Sequence, residues 1–177
     1  MKRMSKSMRR EVAQLLPTSK RLRIIKKKAL ERMSDVCYVN NECCELIEME
    51  KKTTDRYNAT NIIMISDNLS YIMKYIESLS RMHGEIAESC KEIKEILNTE
   101  QDEHICPLLL RTRFNRMVYV SILLRNVISE MCDIHEEIGE EFKVLLKDKI
   151  LNAIHGLSDS ELYAIKCYYK NELGMDF

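Results

Sequence analysis

The side chains in this sequence that could do chemistry are four histidines, seven cysteines, several adjacent acids and a dense run of lysine and arginine. A metal site would need the first two groups in frame. His83, His104, His135 and His155 show no H-E-x-x-H spacing, and Cys37, Cys43, Cys44, Cys90, Cys106, Cys132 and Cys167 contain no C-x-x-C. Neither a zinc site nor a thiol redox motif is expected. Cys43 and Cys44 fit a small buried residue beside an exposed one better than a reactive pair. An odd cysteine count with no apolar signal segment ahead of it argues for a reducing compartment and against a disulfide framework. Glu136–Glu137 and Glu140–Glu141 fit a solvated helix face. Four glycines can hardly supply a phosphate-binding loop, and no nucleophile elbow or dinucleotide fingerprint is present. The expectation is a protein without catalytic residues, metal, cofactor or small-molecule substrate.

The cations are more informative. The formal charge is zero, yet residues 1–32 carry twelve Lys or Arg against Glu11 and Glu31, an excess of ten that the rest of the chain balances with acid. Lys20, Arg21, Arg23, Lys26, Lys27 and Lys28 form its densest part. Such an arm can neutralise phosphates or serve as a nuclear-import patch. It also has the acid-poor, partly amphipathic character of a mitochondrial presequence, and a plain solvated tail is the remaining alternative. A second cluster, Arg111, Arg113 and Arg116, opens a helix, where positive charge opposes the macrodipole by about 0.3–1 kcal/mol per charge. Intramolecular ion pairs and a partner's acids are equally good compensations for it.

The elements that carry these groups are helical. Two prolines, four glycines and 32% charged residues favour helix over sheet, and no apolar run approaches the ~20 residues of a membrane span. Pro17 separates two short helical pieces in the arm, the second (20–33) with Leu22, Ile25 and Ala29 on one side. A helix is expected over 41–52 with Cys43, Leu46, Ile47 and Glu50 inward, then a connection over 53–61. Ile62, Ile65, Leu69, Ile72, Ile76, Leu79, His83, Ile86, Cys90, Ile93 and Leu97 follow at alternating spacings of three and four. That is an almost strict heptad seam, with His83 as a register-fixing polar residue. A second long helix begins at Pro107, with Leu110, Met117, Val120, Leu124, Val127, Met131, Ile134 and Ile138 inward. Gly139 reads as a break and 140–155 as a shorter helix, with Phe142, Leu145, Leu146, Ile150 and Ile154 inward and Lys149 as an outer interruption. Gly156 fits a left-handed cap. Ser158 and Glu161 form a capping box, Leu157 and Leu162 a hydrophobic staple, and Leu162, Ile165, Tyr169 and Leu173 the last apolar stripe. The fold class expected is an all-α helical bundle built on two long antiparallel helices (about 60–97 and 107–138) with shorter flanking helices. It comprises a basic arm over 1–33 and a helical domain over 34–177.

This order of elements resembles the helical domain of GINS subunits, closest to the partner-of-Sld-five-one type, with the paralogous Sld-five type sharing the plan. Glu42, Cys43, Cys44, Glu45, Leu46 and Ile47 are similar to that family's A-x-E-L-I helix, and Tyr57-Asn58 to its Y/F-N-x-D segment. Residues 105–124 are similar to its I-P-x-I-x-x-R…R-N-x-R segment. Leu157, Ser158, Glu161, Leu162, Tyr169 and Leu173 are similar to its final L-S-x-x-E-x-x-F-x-x-Y-x-x-x-L helix. The likeness covers about residues 42–173. The arm is extra, and the small β-rich domain that follows in the family has no counterpart before Phe177. The resemblance implies a non-catalytic subunit of the four-subunit complex that braces the eukaryotic replicative helicase in the nucleus, with other helical subunits as partners. Leu69, Ile72, Ile76, Leu79, Ile86, Val120, Leu124 and Val127 would then form the hairpin core and part of the subunit interface, since a lone hairpin leaves apolar surface over. Arg111, Arg113 and Arg116 would stabilise the hairpin's end. Two other classes fit the same residues: a coiled-coil adaptor of kinetochore or tethering type pairing through 62–97, and a basic-arm protein binding nucleic acid or the ribosome.

Overall fold

The computed structural model describes residues 5–53, 59–99, 108–164 and 167, which are helical apart from short breaks. The protein is an all-α bundle. Helix α1 (Lys6–Leu15) is capped by Ser5, whose hydroxyl accepts the Met8 N–H at 3.1 Å. Pro17 then holds Leu16 in an extended conformation (φ −80°, ψ 115°), the restriction proline places on its predecessor. Thr18 starts the next helix by accepting the Arg21 N–H at 3.1 Å. The two arm pieces divide at Pro17, as the sequence suggested.

Helix α2 (Ser19–Lys52) departs from expectation by running 34 residues without interruption. The separate pieces anticipated over 20–33 and 41–52 are one helix, and residues 33 and 34 lie in its middle. The reason is a stripe that never slips: Leu22, Ile25, Ala29, Val36, Val39, Cys43 and Ile47 are all buried. Two valines of modest helix propensity therefore carry the core across the join. Residues 12–29 also contribute Val12, Leu16, Leu22, Ile25 and Ala29 to the core, so the arm is not a solvated tail.

Helix α3 (Ala59–Thr99) carries the heptad seam over 41 residues. Ile65, Ile72, Ile76, Leu79, Ile86 and Ile93 are buried, and Ile62, Leu69, His83, Cys90 and Leu97 half-buried. Helix α4 (Leu108–His155) is 48 residues long, ~72 Å at 1.5 Å per residue. Its inner set from Leu110 to Ile138 is buried as expected, with Ile134 half-buried. The break expected at Gly139 is absent. Gly139 has a helical neighbour on both sides, and the stripe continues through Phe142 and Leu145, so packing outweighs the ~1 kcal/mol that glycine costs a helix. A Cβ added there would meet nothing within 4 Å. Gly139→Ala should therefore stabilise the protein by about 0.4–1 kcal/mol, read as a rise in melting temperature of a few degrees; a fall would contradict an open, helical site.

Polar contacts fix the topology. Arg21 meets Glu85 at 3.3 Å, Arg32 donates to Ser78 at 2.7 Å, and Asn68 donates to Glu42 at 3.3 Å. Numbers rising on α2 against numbers falling on α3 make these helices antiparallel. Lys26 lies over Tyr119 and Lys51 meets Glu141, so α2 and α4 run parallel. Three long helices thus pack up-down-up, and α1 packs on the C-terminal part of α3. Midway, Tyr75 donates to Asp35 at 3.3 Å and shares a hydroxyl contact with Tyr71. That contact first, then burial, pushes the Tyr75 hydroxyl up to about 12.

After α4, residues 156–158 break the helix and 159–164 resume it. Gly156 does not take the left-handed conformation expected of it. The capping box is present in its returning half: the Ser158 N–H donates to Glu161 Oε2 at 2.9 Å and the Ser158 hydroxyl to the same oxygen at 2.6 Å. Leu157 and Leu162 are half-buried. The hydroxyl first, then the N–H, holds the Glu161 carboxyl below its ordinary range. A depressed folded-state value means this cap contributes above the ordinary carboxylate range and is lost as pH falls through the folded value. Protection factors of the amides over 159–164, taken relative to intrinsic exchange at each pH, should fall on acidification towards about pH 3, and should fall less in Glu161→Gln. Ile165, Tyr169 and Leu173 of the expected stripe, the side chain of Ile154, and the Tyr57-Asn58 and Ile105–Pro107 motifs lie outside the described residues.

Candidate functional site

Parallel α2 and α4 bring the two cationic clusters to one end of the bundle. Pro17 and Thr18 fix where α2 begins, and its buried stripe Leu22–Ile25–Ala29 turns the basic residues outward. On α4, burial of Leu110, Met117 and Val120 does the same for the arginines. Lys20, Arg21, Arg23, Lys27, Lys28, Arg111 and Arg116 are exposed, while Lys26 and Arg113 are half-buried. A groove between the helices is lined by Ser19, Lys20, Leu22, Arg23, Lys26, Arg116, Tyr119 and Val120. The Lys26 ammonium stands 5.2 Å from the centre of the Tyr119 ring. A second groove, on the α3 side of α2, contains Lys20, Arg21, Lys28, Arg81 and Glu85.

Few of these charges are neutralised. Arg21 pairs with Glu85 and Lys27 with Glu31, each at 3.3 Å. Among the described residues Lys20, Arg23, Lys26, Lys28, Arg111, Arg113 and Arg116 form no ion pair. Of the two compensations open to the Arg111–Arg116 cluster, intramolecular pairing is not found among the described residues. From Leu108 to Ser129 helix α4 has four arginines and no acid, and from Glu130 to His155 it has seven acids. The Lys26–Lys28 run is wound into α2, with Lys26 facing α4 and Lys28 facing α3, and so does not form a flexible basic peptide.

The opposite end, where α2 finishes, α3 starts and α4 nears its end, holds a buried polar knot. Glu50 is 1% exposed. Its carboxylate accepts from Asn61 Nδ2 at 2.9 Å and faces Lys149 Nζ at 3.8 Å. Lys149 also donates to the Thr53 carbonyl and, at 3.3 Å, to the Thr53 hydroxyl, which itself donates to the Glu50 carbonyl at 3.0 Å. Lys149 is thus no outer interruption: its side chain is 13% exposed. An acid on the inner stripe of one helix and a lysine at an inner position of another were the signal for it.

No protein-family model matches this chain, and no curated protein or solved structure matches it either.

The residues expected to form the hairpin core and part of a partner interface are found in the core. Ile72, Ile76, Leu79, Ile86, Val120, Leu124 and Val127 are buried inside the chain, and Leu69 half-buried against them. The hairpin of α3 and α4 does leave apolar surface over, but α2 covers it, so these side chains are core and not a free seam. Three of the thiols, Cys43, Cys44 and Cys90, are poor nucleophiles. Burial pushes Cys43, Cys44 and Cys90 up, with Glu141 and Glu137 adding to the effect at Cys44, and the thiolate is the reactive form. Among the described residues no group of three or more His, Cys, Asp or Glu could hold a metal ion, and no helix is long and apolar enough to cross a membrane. Tyr119 and the juxtaposition of the two cationic clusters were not foreseen. Charge counts give no information on which helices lie side by side.

Proposed function

We propose that this chain is a non-catalytic helical subunit of a nuclear replication assembly of GINS type, packed on sister subunits. The observation that carries the reading is the element order. A helix containing Glu42–Ile47 ends at Lys52, and a long helix follows. The next helix opens on Arg111, Arg113 and Arg116, and a Ser158-capped segment closes the described chain. These are the places where the family-like motifs fall. Large apolar side chains left in solvent support an assembling role: Met49, Ile63, Met64, Val144, Leu151 and, against its expected inward place, Ile150 are all exposed. They lie on the parts of α2, α3 and α4 that meet at the Glu50–Lys149 end, and apolar side chains gathered at one end of a bundle suit an interaction face.

The test is affinity purification of the full chain from its native cells followed by mass spectrometry. Three other small helical proteins and components of the replicative helicase are expected. Ile63→Glu with Val144→Glu should leave the helical content intact, because both side chains are exposed, and should reduce recovery of those proteins at least ten-fold. Recovery of kinetochore or tethering proteins in their place would sink the assignment.

A further inference from the structure

We propose that the α2–α4 groove is a binding site for single-stranded nucleic acid, in which cations from both helices hold the phosphate backbone and Tyr119 stacks on a base. The inference goes beyond the assembly reading and does not depend on it. Three observations converge. Lys20, Arg23 and Lys26 on α2 face Arg116 on α4 across the groove, and among the described residues none of the four has an ion-pair partner. Among the described residues no carboxylate lines this groove; the acids Glu31 and Glu85 are engaged by Lys27 and Arg21 on other sides of α2. Tyr119 lines the same groove and is 56% exposed, and one of its faces is already set against a lysine.

The physics favours an anion there. Helices α2 and α4 are parallel, so both N-termini lie at this end and their dipoles add to the positive potential. Cations placed there repel one another and the dipoles, a cost that a bound phosphate chain removes. The groove is a furrow on the surface of two helices in contact, and an unpaired base laid along it can offer its face to Tyr119, which a base stacked within a duplex cannot. A cationic groove with an exposed aromatic is the general arrangement for holding single strands without sequence preference.

The experiment is fluorescence anisotropy of a labelled 20-nucleotide oligothymidine with the full-length protein, against a duplex of equal length and vesicles of anionic phospholipid. With about four phosphates neutralised, affinity should fall about 50-fold between 50 and 200 mM salt. Tyr119→Ala should weaken binding about ten-fold. Arg23→Glu with Arg116→Glu should abolish it at 200 mM salt, while Lys147→Glu in the acidic half should have no effect. All of these positions are exposed, and circular dichroism checks that each variant remains helical. Deleting the arm would be uninformative, because its apolar residues belong to the core. No binding at 50 mM salt, equal affinity for duplex or vesicles, or indifference to Tyr119 and to the paired reversal would overturn the proposal. Loss of the strand-binding signal leaves the co-purification result untouched, so the two readings fail separately.

Discussion

Ile76→Lys with Leu79→Lys should unfold the protein, and should not yield a folded monomer of an otherwise self-associating coil. Ile76 is 8% exposed and Leu79 fully buried, each on the α3 seam that faces α4 and α2. Placing an ammonium at such a position without a partner costs several kcal/mol per ion, and two such sites approach or exceed the ~5–15 kcal/mol by which domains are stable. The expected result at 25 °C is a loss of helical signal and of any cooperative thermal transition. Ile63→Lys with Ile122→Lys is the matched control, since both side chains are exposed and surface changes usually stay within about 0.5 kcal/mol. A free coiled-coil adaptor predicts the opposite for the first pair: a helical chain that has become monomeric. That outcome would return the 62–97 seam to a partner and overturn the three-helix core.

The seam itself was legible because a spacing of three and four sustained over eleven positions has one physical solution, a helix with a continuous buried face. The ends of helices were legible at Pro17 and Ser158, where proline or a capping box sets them; the Thr18 cap was not foreseen. What failed was every inference that weighed a local propensity against packing. Gly139 reads as a break on propensity, and Val36 and Val39 sit in a stretch that reads as a join. In both places a long stripe of buried residues decides the conformation, because each buried aliphatic side chain contributes about 1.5–3 kcal/mol against roughly 1 kcal/mol of intrinsic preference. The arm was misread for a related reason. Leu22, Ile25 and Ala29 read as the apolar side of a short arm helix, and in the structure they supply the third wall of the bundle. Once that wall is in place, the seam of the α3–α4 hairpin is covered within the chain, and the apolar side chains still exposed on these helices lie off the seam. The groove at the cationic end was illegible altogether, since it depends on α2 lying parallel to α4, and that follows from chain reversal through α3 and not from any local pattern.

Lys149→Met should destabilise the protein by about 3 kcal/mol, a drop in melting temperature of roughly 6–12 °C, although it replaces a charged residue by an apolar one of similar length. The loss arises at Glu50. Its side chain is 2% exposed, so removing the ammonium takes the cation at 3.8 Å away from a buried carboxylate that also accepts from Asn61 Nδ2 at 2.9 Å. The carbonyl of Thr53 loses its Lys149 donor at the same time, at the point where the chain leaves α2. Glu50→Leu together with Lys149→Met should recover most of the stability, because a buried ion pair exchanged for packed apolar groups is often neutral or better. Chemical denaturation of the two single variants and the double gives the coupling directly. If the double variant is less stable than both singles, the knot is not acting as a charge pair. What the pair adds beyond stability is register. It joins the last turn of α2, the first turn of α3 through Asn61, and α4 at one point, and it admits only one axial alignment of the three. The exposed apolar side chains proposed to meet sister subunits lie at that same end. The double variant should therefore remain folded yet recover its partners less well than the native chain, since a face assembled from three helices needs their relative heights fixed.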